Sequence, residues 1–226
     1  MTGRQIIYDP QLSHATISVE PRGYITARSI LGSSFVSPED IMLACARVVY
    51  SEAQTDRLVE LVPSIEALAS LRESGFSLMP QPPIAMTFLE VRSLEATLFR
   101  VRNARASEWY ECWGFASSEL TDVGWVAIRH VAPGDLTLNK PWSEQNKLLG
   151  LNEAVSSLAE LTWFVTTLFK VRRTKLFTAT CVRTASLFSD ECHIHFGHLD
   201  GERLDIGFTR DAYHHDILGL AILRKF

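Results

Sequence analysis

Apolar and polar residues follow two periods along this chain, and the places where the period changes outline its elements. Two short β-prone runs open it, Ala15 to Val19 and Tyr24 to Ala27, with Glu20, Pro21, Arg22 and Gly23 suiting a turn between them, so the pair reads as an N-terminal hairpin. Ser37, Pro38, Glu39 and Asp40 then supply a capping hydroxyl, a proline at the first helical position and two acids at the positive end of the dipole. Ile41, Ala44, Cys45, Val48 and Val49 recur at three-and-four spacing, which predicts a helix with Cys45 on its buried stripe. Leu58, Leu61 and Val62 carry a second helical stretch. A third follows Pro63 and Ser64 and stops at Gly75, a residue suited to a left-handed cap.

These helices can form a helical subdomain over 37–77. Pro80, Pro82 and Pro83 remove three backbone donors in four residues, so 78–83 reads as an extended, Pro-rich connection, packed down through Phe76, Leu78, Met79 and Ile84. From Thr87, the residues Val91, Leu94, Leu98 and Val101 fit one helical face. Trp125 to Arg129 reads as a strand, Pro141 opens a short helix, and Asn152 and Glu153 cap a longer one carrying Val155, Leu158, Leu161, Val165 and Leu168. Four β-prone runs follow: Leu176 to Arg183, Cys192 to Phe196, Leu204 to Thr209 and Leu218 to Leu223. Strands at both ends with helices grouped between them predict an α+β fold. It is one domain over 1–226, whose antiparallel sheet comes mainly from the C-terminal strands plus the N-terminal hairpin.

With 226 residues, 46% apolar and 21% charged, the chain is ordinary globular material with enough length for its own core. The formal charge of −4 argues against a duplex-binding surface. The basic run Lys170, Arg172, Arg173 and Lys175 follows a predicted helix whose negative end it complements, so nucleic-acid association through it, or through Arg100 to Arg105, is the weakest reading. Cys45, Cys112, Cys181 and Cys192 show neither a C-x-x-C pair nor disulfide-scaffold crowding, which suits a reducing, cytoplasmic setting. No apolar run is long enough for a signal peptide or a membrane span, so no membrane partner is expected.

The common nucleotide, nucleophile and zinc-protease signatures are missing. The most informative stretch is Cys192 to Phe208, which reads as a hairpin about Leu199, Asp200 and Gly201. That loop pairs His195 with Asp205 and Phe196 with Leu204, gathering Ile194, Phe196, Leu204, Ile206 and Phe208 on one face and His193, His195, Arg203 and Asp205 on the other. Two imidazoles and a carboxylate in that array suit a divalent metal ion, with His214, His215 or Asp216 available to complete it. The simpler reading is a polar outer face with nothing bound. Cys181 beside His193 or His195 is a weaker thiol–imidazole candidate, and a buried core thiol is preferred. Trp109, Trp113, Trp125 and Trp142 can line a ligand pocket, though core packing is the blander account. Asp211 to Asp216 reads as a polar bend.

The leading expectation is a binding or protein-interaction module without catalytic activity or cofactor, acting on a protein partner or on itself. The alternative is a divalent-metal-dependent hydrolase in which His193, His195 and Asp205 hold the ion. No catalytic base can be assigned, Glu191 and Glu202 being merely nearby.

Overall fold

The structure, a computed structural model, describes residues 20–100, 108–131, 134–197 and 203–226. Its first element is a helix, α1 (Arg22–Leu31), where the second arm of the N-terminal hairpin was expected; the first arm, Ala15 to Val19, lies outside the described residues. Packing decides this correction. At helical spacing Tyr24, Ala27 and Leu31 share one buried face, and the Tyr24 ring lies 5.9 Å from Phe35 and 5.7 Å from Trp125. Pro21 precedes the helix, where its missing N–H loses no bond.

Helix α2 (Pro38–Ala44) starts at the predicted cap: Ser37 Oγ accepts from Asp40 N, and the Asp40 carboxylate accepts from Ser37 N at 3.1 Å. It stops at Ala44, so the stripe expected to reach Val49 is cut, with Cys45 and Val48 buried and Val49 exposed. Helices α3 (Glu52–Glu60) and α4 (Ile65–Glu73) follow, each N-capped by a serine, and Gly75 takes a φ of 72° just past α4. Strand β1 (Phe76–Pro80) is buried along its whole length, whereas Ile84 is exposed. Helix α5 (Phe88–Leu94) is shorter than its apolar stripe suggested, and Val101 lies outside the described residues.

Next come α6 (Gly114–Ser117), β2 (Trp125–Arg129), α7 (Trp142–Asn146) and β3 (Ala154–Val155). Helix α8 (Leu158–Arg172) starts after Ser157 and not at Asn152, because Ser157 and Glu160 form a reciprocal cap and Ala154–Val155 is captured by a strand. The C-terminal strands are β4 (Cys181–Ser189), β5 (Cys192–Gly197), β6 (Asp205–Arg210), β7 (Leu218–Leu220) and β8 (Ile222–Lys225).

Among the described residues these elements make an α+β fold with two four-stranded sheets. The first, ordered β1-β2-β8-β3, is antiparallel throughout; the second, ordered β6-β5-β4-β7, has one parallel contact, β4 with β7. The run from Leu218 to Leu223, expected as one strand, is divided between them at Ala221. There Ala221 N donates to Arg183 O at 2.9 Å and its carbonyl accepts from Ser156 N at 2.8 Å.

All eleven residues from Leu158 to Leu168 in α8 are buried, a pattern that requires neighbours on every side of the helix. Trp163 Nε1 donates to Pro80 O at 3.0 Å in the first sheet, while Leu158 N donates to Ser186 Oγ of the second at 2.8 Å. On the other face of the first sheet Trp125 stacks on Phe35 at 5.6 Å and its indole N–H donates to Leu58 O at 2.8 Å. Among the described residues no helix is long and apolar enough to cross a membrane.

Candidate functional site

The β5–β6 ribbon keeps the predicted faces: Ile194, Phe196 and Ile206 are buried together, while His193 and His195 project from the opposite side. The register differs by two residues. His195 stands opposite Gly207 and Asp205 opposite Gly197, so the expected His195–Asp205 pair is corrected. Two glycines show why. A Cβ at position 207 would lie 2.6 Å from His195 Cε1 and Nε2, and one at 197 would lie 2.5 Å from Thr180 O. The ring and the neighbouring backbone therefore need those bare positions beside them.

His193 is buried and stacked on Trp142 with ring centroids 3.6 Å apart, and its Nδ1 lies 2.6 Å from Asp211 Oδ1. His214 faces Asn139 Oδ1 at 2.9 Å, and His215 pairs with Asp216 at 2.6 Å. Among the described residues no three His, Cys, Asp or Glu side chains are grouped to hold one metal ion, and His193, His195 and Asp205 do not form such a set. Glu191 is exposed, and Glu202 lies outside the described residues.

Beneath the histidines a buried arginine organises the sheet. Arg183 Nη1 donates to Gln145 Oε1 at 2.8 Å and Lys140 O at 3.1 Å, and Nη2 donates to Arg210 O at 3.3 Å and to Tyr213 O. Gln145, also buried, spends its amide N–H groups on Thr137 O at 2.7 Å and Leu218 O at 3.1 Å. Cys181 and His195 line one cavity of about 330 Å³ with Tyr213 and His215. Burial, with the charge of Asp205 adding to it, pushes the Cys181 thiol up to about 11, so it stays protonated and unreactive at neutral pH. A second pairing, Ser77 Oγ with His130 Nε2 at 2.9 Å, joins the first sheet to the loop after β2; Ser77 is buried, out of a substrate's reach.

The tryptophans divide. Trp125 is core and Trp142 covers His193, while Trp109 and Trp113 pack with Phe188 and Phe208 in a half-exposed aromatic group. In the basic run, Lys170 pairs with Glu95 at 2.9 Å and Arg172 with Asp40 at 3.0 Å, so part of its charge is neutralised within the fold.

The arrangement most suited to a ligand lies elsewhere, in a cleft of about 310 Å³ between α3 and the Pro-rich segment. Leu58 comes from α3 and Leu61 from the residue that caps its C-terminus, Pro82 and Pro83 from the segment leaving β1, and Val123, Gly124 and Phe226 close the far wall. Local chemistry holds these walls. Gln54, whose carboxamide oxygen caps α3 through Ser51, donates from Nε2 to Pro83 O at 2.6 Å. Gly124, at φ 91°, leaves room for Phe226 O, which a Cβ there would approach to 2.9 Å. Gln81 N donates to Gly124 O at 2.8 Å, extending the β1–β2 ladder.

Gln81 also receives the Tyr50 hydroxyl on its carbonyl at 2.7 Å; burial, with Tyr24 adding, raises the Tyr50 pKa well above the phenol range, so this donor never ionises under ordinary conditions. Its own side chain is treated differently. Gln81 is 2% exposed, yet neither Nε2 nor Oε1 has a hydrogen-bond partner among the described residues, and the Tyr24 hydroxyl is likewise without one. A buried carboxamide with two donors and an acceptor unspent is rare, since such groups are nearly always satisfied. The sequence reading passed over Gln81 because a glutamine between prolines carries no motif; its burial among apolar neighbours was the sole available signal. No protein-family model matches the chain, nor does any curated protein or solved structure, so the geometry of this cleft carries the functional argument.

Proposed function

We propose that this protein acts as a binding module that holds a small amphipathic ligand in the cleft between α3 and residues 81–83. One observation carries the reading: a concavity walled by leucine, proline, valine and phenylalanine is lined also by Gln81, whose buried carboxamide has no hydrogen-bond partner among the described residues. Binding sites combine mostly apolar walls with a few convergent polar groups, and this cleft sits at the small end of their volume range. The four free thiols suit work in a reducing, cytoplasmic setting.

Chemical-shift mapping of the labelled protein against a set of small amphipathic molecules tests the proposal. Perturbations gathered on Tyr50, Leu58, Leu61, Gln81, Val123 and Phe226 are expected. Responses confined to the cavity of Cys181 and His195, or none at the cleft, would overturn it.

A further inference from the structure

We infer that the ligand of the cleft is an aliphatic anion, an apolar chain ending in a carboxylate or phosphate head, a conclusion that rests on the binding reading above. Four polar side chains line the cleft: Tyr50, Gln54, Arg57 and Gln81. Three of them are already committed or enclosed. The Tyr50 hydroxyl donates to Gln81 O at 2.7 Å, Gln54 accepts from Ser51 N at 2.9 Å and donates to Pro83 O at 2.6 Å, and the Gln81 carboxamide is closed from solvent.

Arg57 differs in kind. It is exposed on α3 while lining the cleft, which places it at the rim, and it has no ion-pair partner among the described residues. No acidic side chain lines the cavity, so the charge that its side chains present is positive. A guanidinium carries a fork of N–H donors and no acceptor, which matches the oxygens of a carboxylate or phosphate and repels an ammonium. Leu58, Leu61, Pro82, Pro83, Val123 and Phe226 receive the chain. Hydrocarbon walls with a cation at the rim therefore favour an anionic amphiphile over a neutral or cationic one. The volume, about 310 Å³, equals that of about ten waters at ~30 Å³ each, which suits a chain of about eight carbons with its head.

Calorimetric titration of the full chain, below the concentration at which the probes form micelles, tests the inference with octanoate, octyl phosphate, 1-octanol and octylammonium, which share one chain and differ in the head. A contact at an exposed charge is weak, so the better anion is expected to bind about twofold to fivefold tighter than octanol, with octylammonium the weakest. Arg57→Gln, at an exposed position, should bring the anions to the affinity of octanol and leave that of octanol unchanged, and added salt should narrow the preference of the unmodified protein. Preference for either anion over octanol, lost in Arg57→Gln, supports the inference, and the tighter anion names the head. Octanol or octylammonium binding as tightly as both anions, or a preference that survives the substitution, would overturn it. If none of the four binds while other small molecules still map to the cleft, the ligand class falls and the binding reading stands; if nothing maps there, both fall.

Discussion

Replacing Gln81 by methionine should make the free protein more stable. The two side chains have similar length and flexibility, so the change exchanges a carboxamide for an apolar end without opening a void. In the native protein Gln81 is 2% exposed and both polar atoms of its side chain lack partners, so folding strips water from them without replacement. An unsatisfied buried polar group costs about 1–3 kcal/mol, and Gln81→Met removes that penalty. For a chain of 226 residues each kcal/mol shifts the melting temperature by about 2–4 °C, so the gain should be roughly 2–12 °C. Urea unfolding followed by tryptophan fluorescence measures it, since Trp125 is buried in the first sheet beside this segment. The midpoint should rise with an unchanged denaturant slope. A ligand at a hundred times its dissociation constant adds about 2.7 kcal/mol to the unmodified protein and should add less to the variant. A midpoint that falls would refute the reasoning, because it would mean that an ordered water or an unseen contact already satisfies Gln81 and that the residue serves stability. The opposite sign is what a residue retained for binding at the expense of stability should show.

Three further outcomes are expected. Gln145→Leu deprives Arg183 of the acceptor at 2.8 Å and should lower stability by about 2–3 kcal/mol in denaturant unfolding; a loss below about 1 kcal/mol would show that the carbonyls around Arg183 suffice. Gly197→Ala places a Cβ against fixed backbone at 2.5 Å, whereas Gly207→Ala meets the His195 ring at 2.6 Å, which can swing aside. The first should therefore reach or exceed the upper end of the ~1–3 kcal/mol overpacking range and the second fall below it, and equal losses would contradict the account of the register. The Cys181 thiol, raised from 9.0 to about 11, has a folded value above its unfolded one, so its stabilising contribution is complete below pH 9 and disappears as pH climbs through 11. Two pH units correspond to about 3 kcal/mol, Cys181→Ala should flatten that alkaline limb, and at pH 8 a thiol reagent should label exposed Cys112 well before Cys181.

Local chemistry made much of the fold legible. The caps at Ser37 and Pro141, the stop at Gly75 and the strand Trp125–Arg129 depend on neighbours within a few residues, and each appears where spacing and residue type place it. Where two local signals competed, distant partners chose between them. Asn152 and Ser157 both suit a helix start, but pairing of Ala154–Val155 with β8 left the cap to Ser157. Tyr24 to Ala27 suits a strand, but contact with Phe35 and Trp125 holds it as helix.

The histidine ribbon shows the limit most plainly. Alternation correctly assigned its two faces, yet a slip of two residues preserves every face while changing every partner, so periodicity could not distinguish Asp205 from Gly207 opposite His195. The close approaches at Gly197 and Gly207 made that choice, and they exist only once the strands are assembled. The cleft depends still more on assembly: Tyr50, Leu58, Gln81, Gly124 and Phe226 are scattered over most of the chain. Residue type and spacing along the chain determined which segments could be helix or strand and which side of each would be apolar. Which polar side chain would be buried without a partner was decided by tertiary packing, because satisfaction of a hydrogen bond depends on atoms brought together in space and not on their order in the chain.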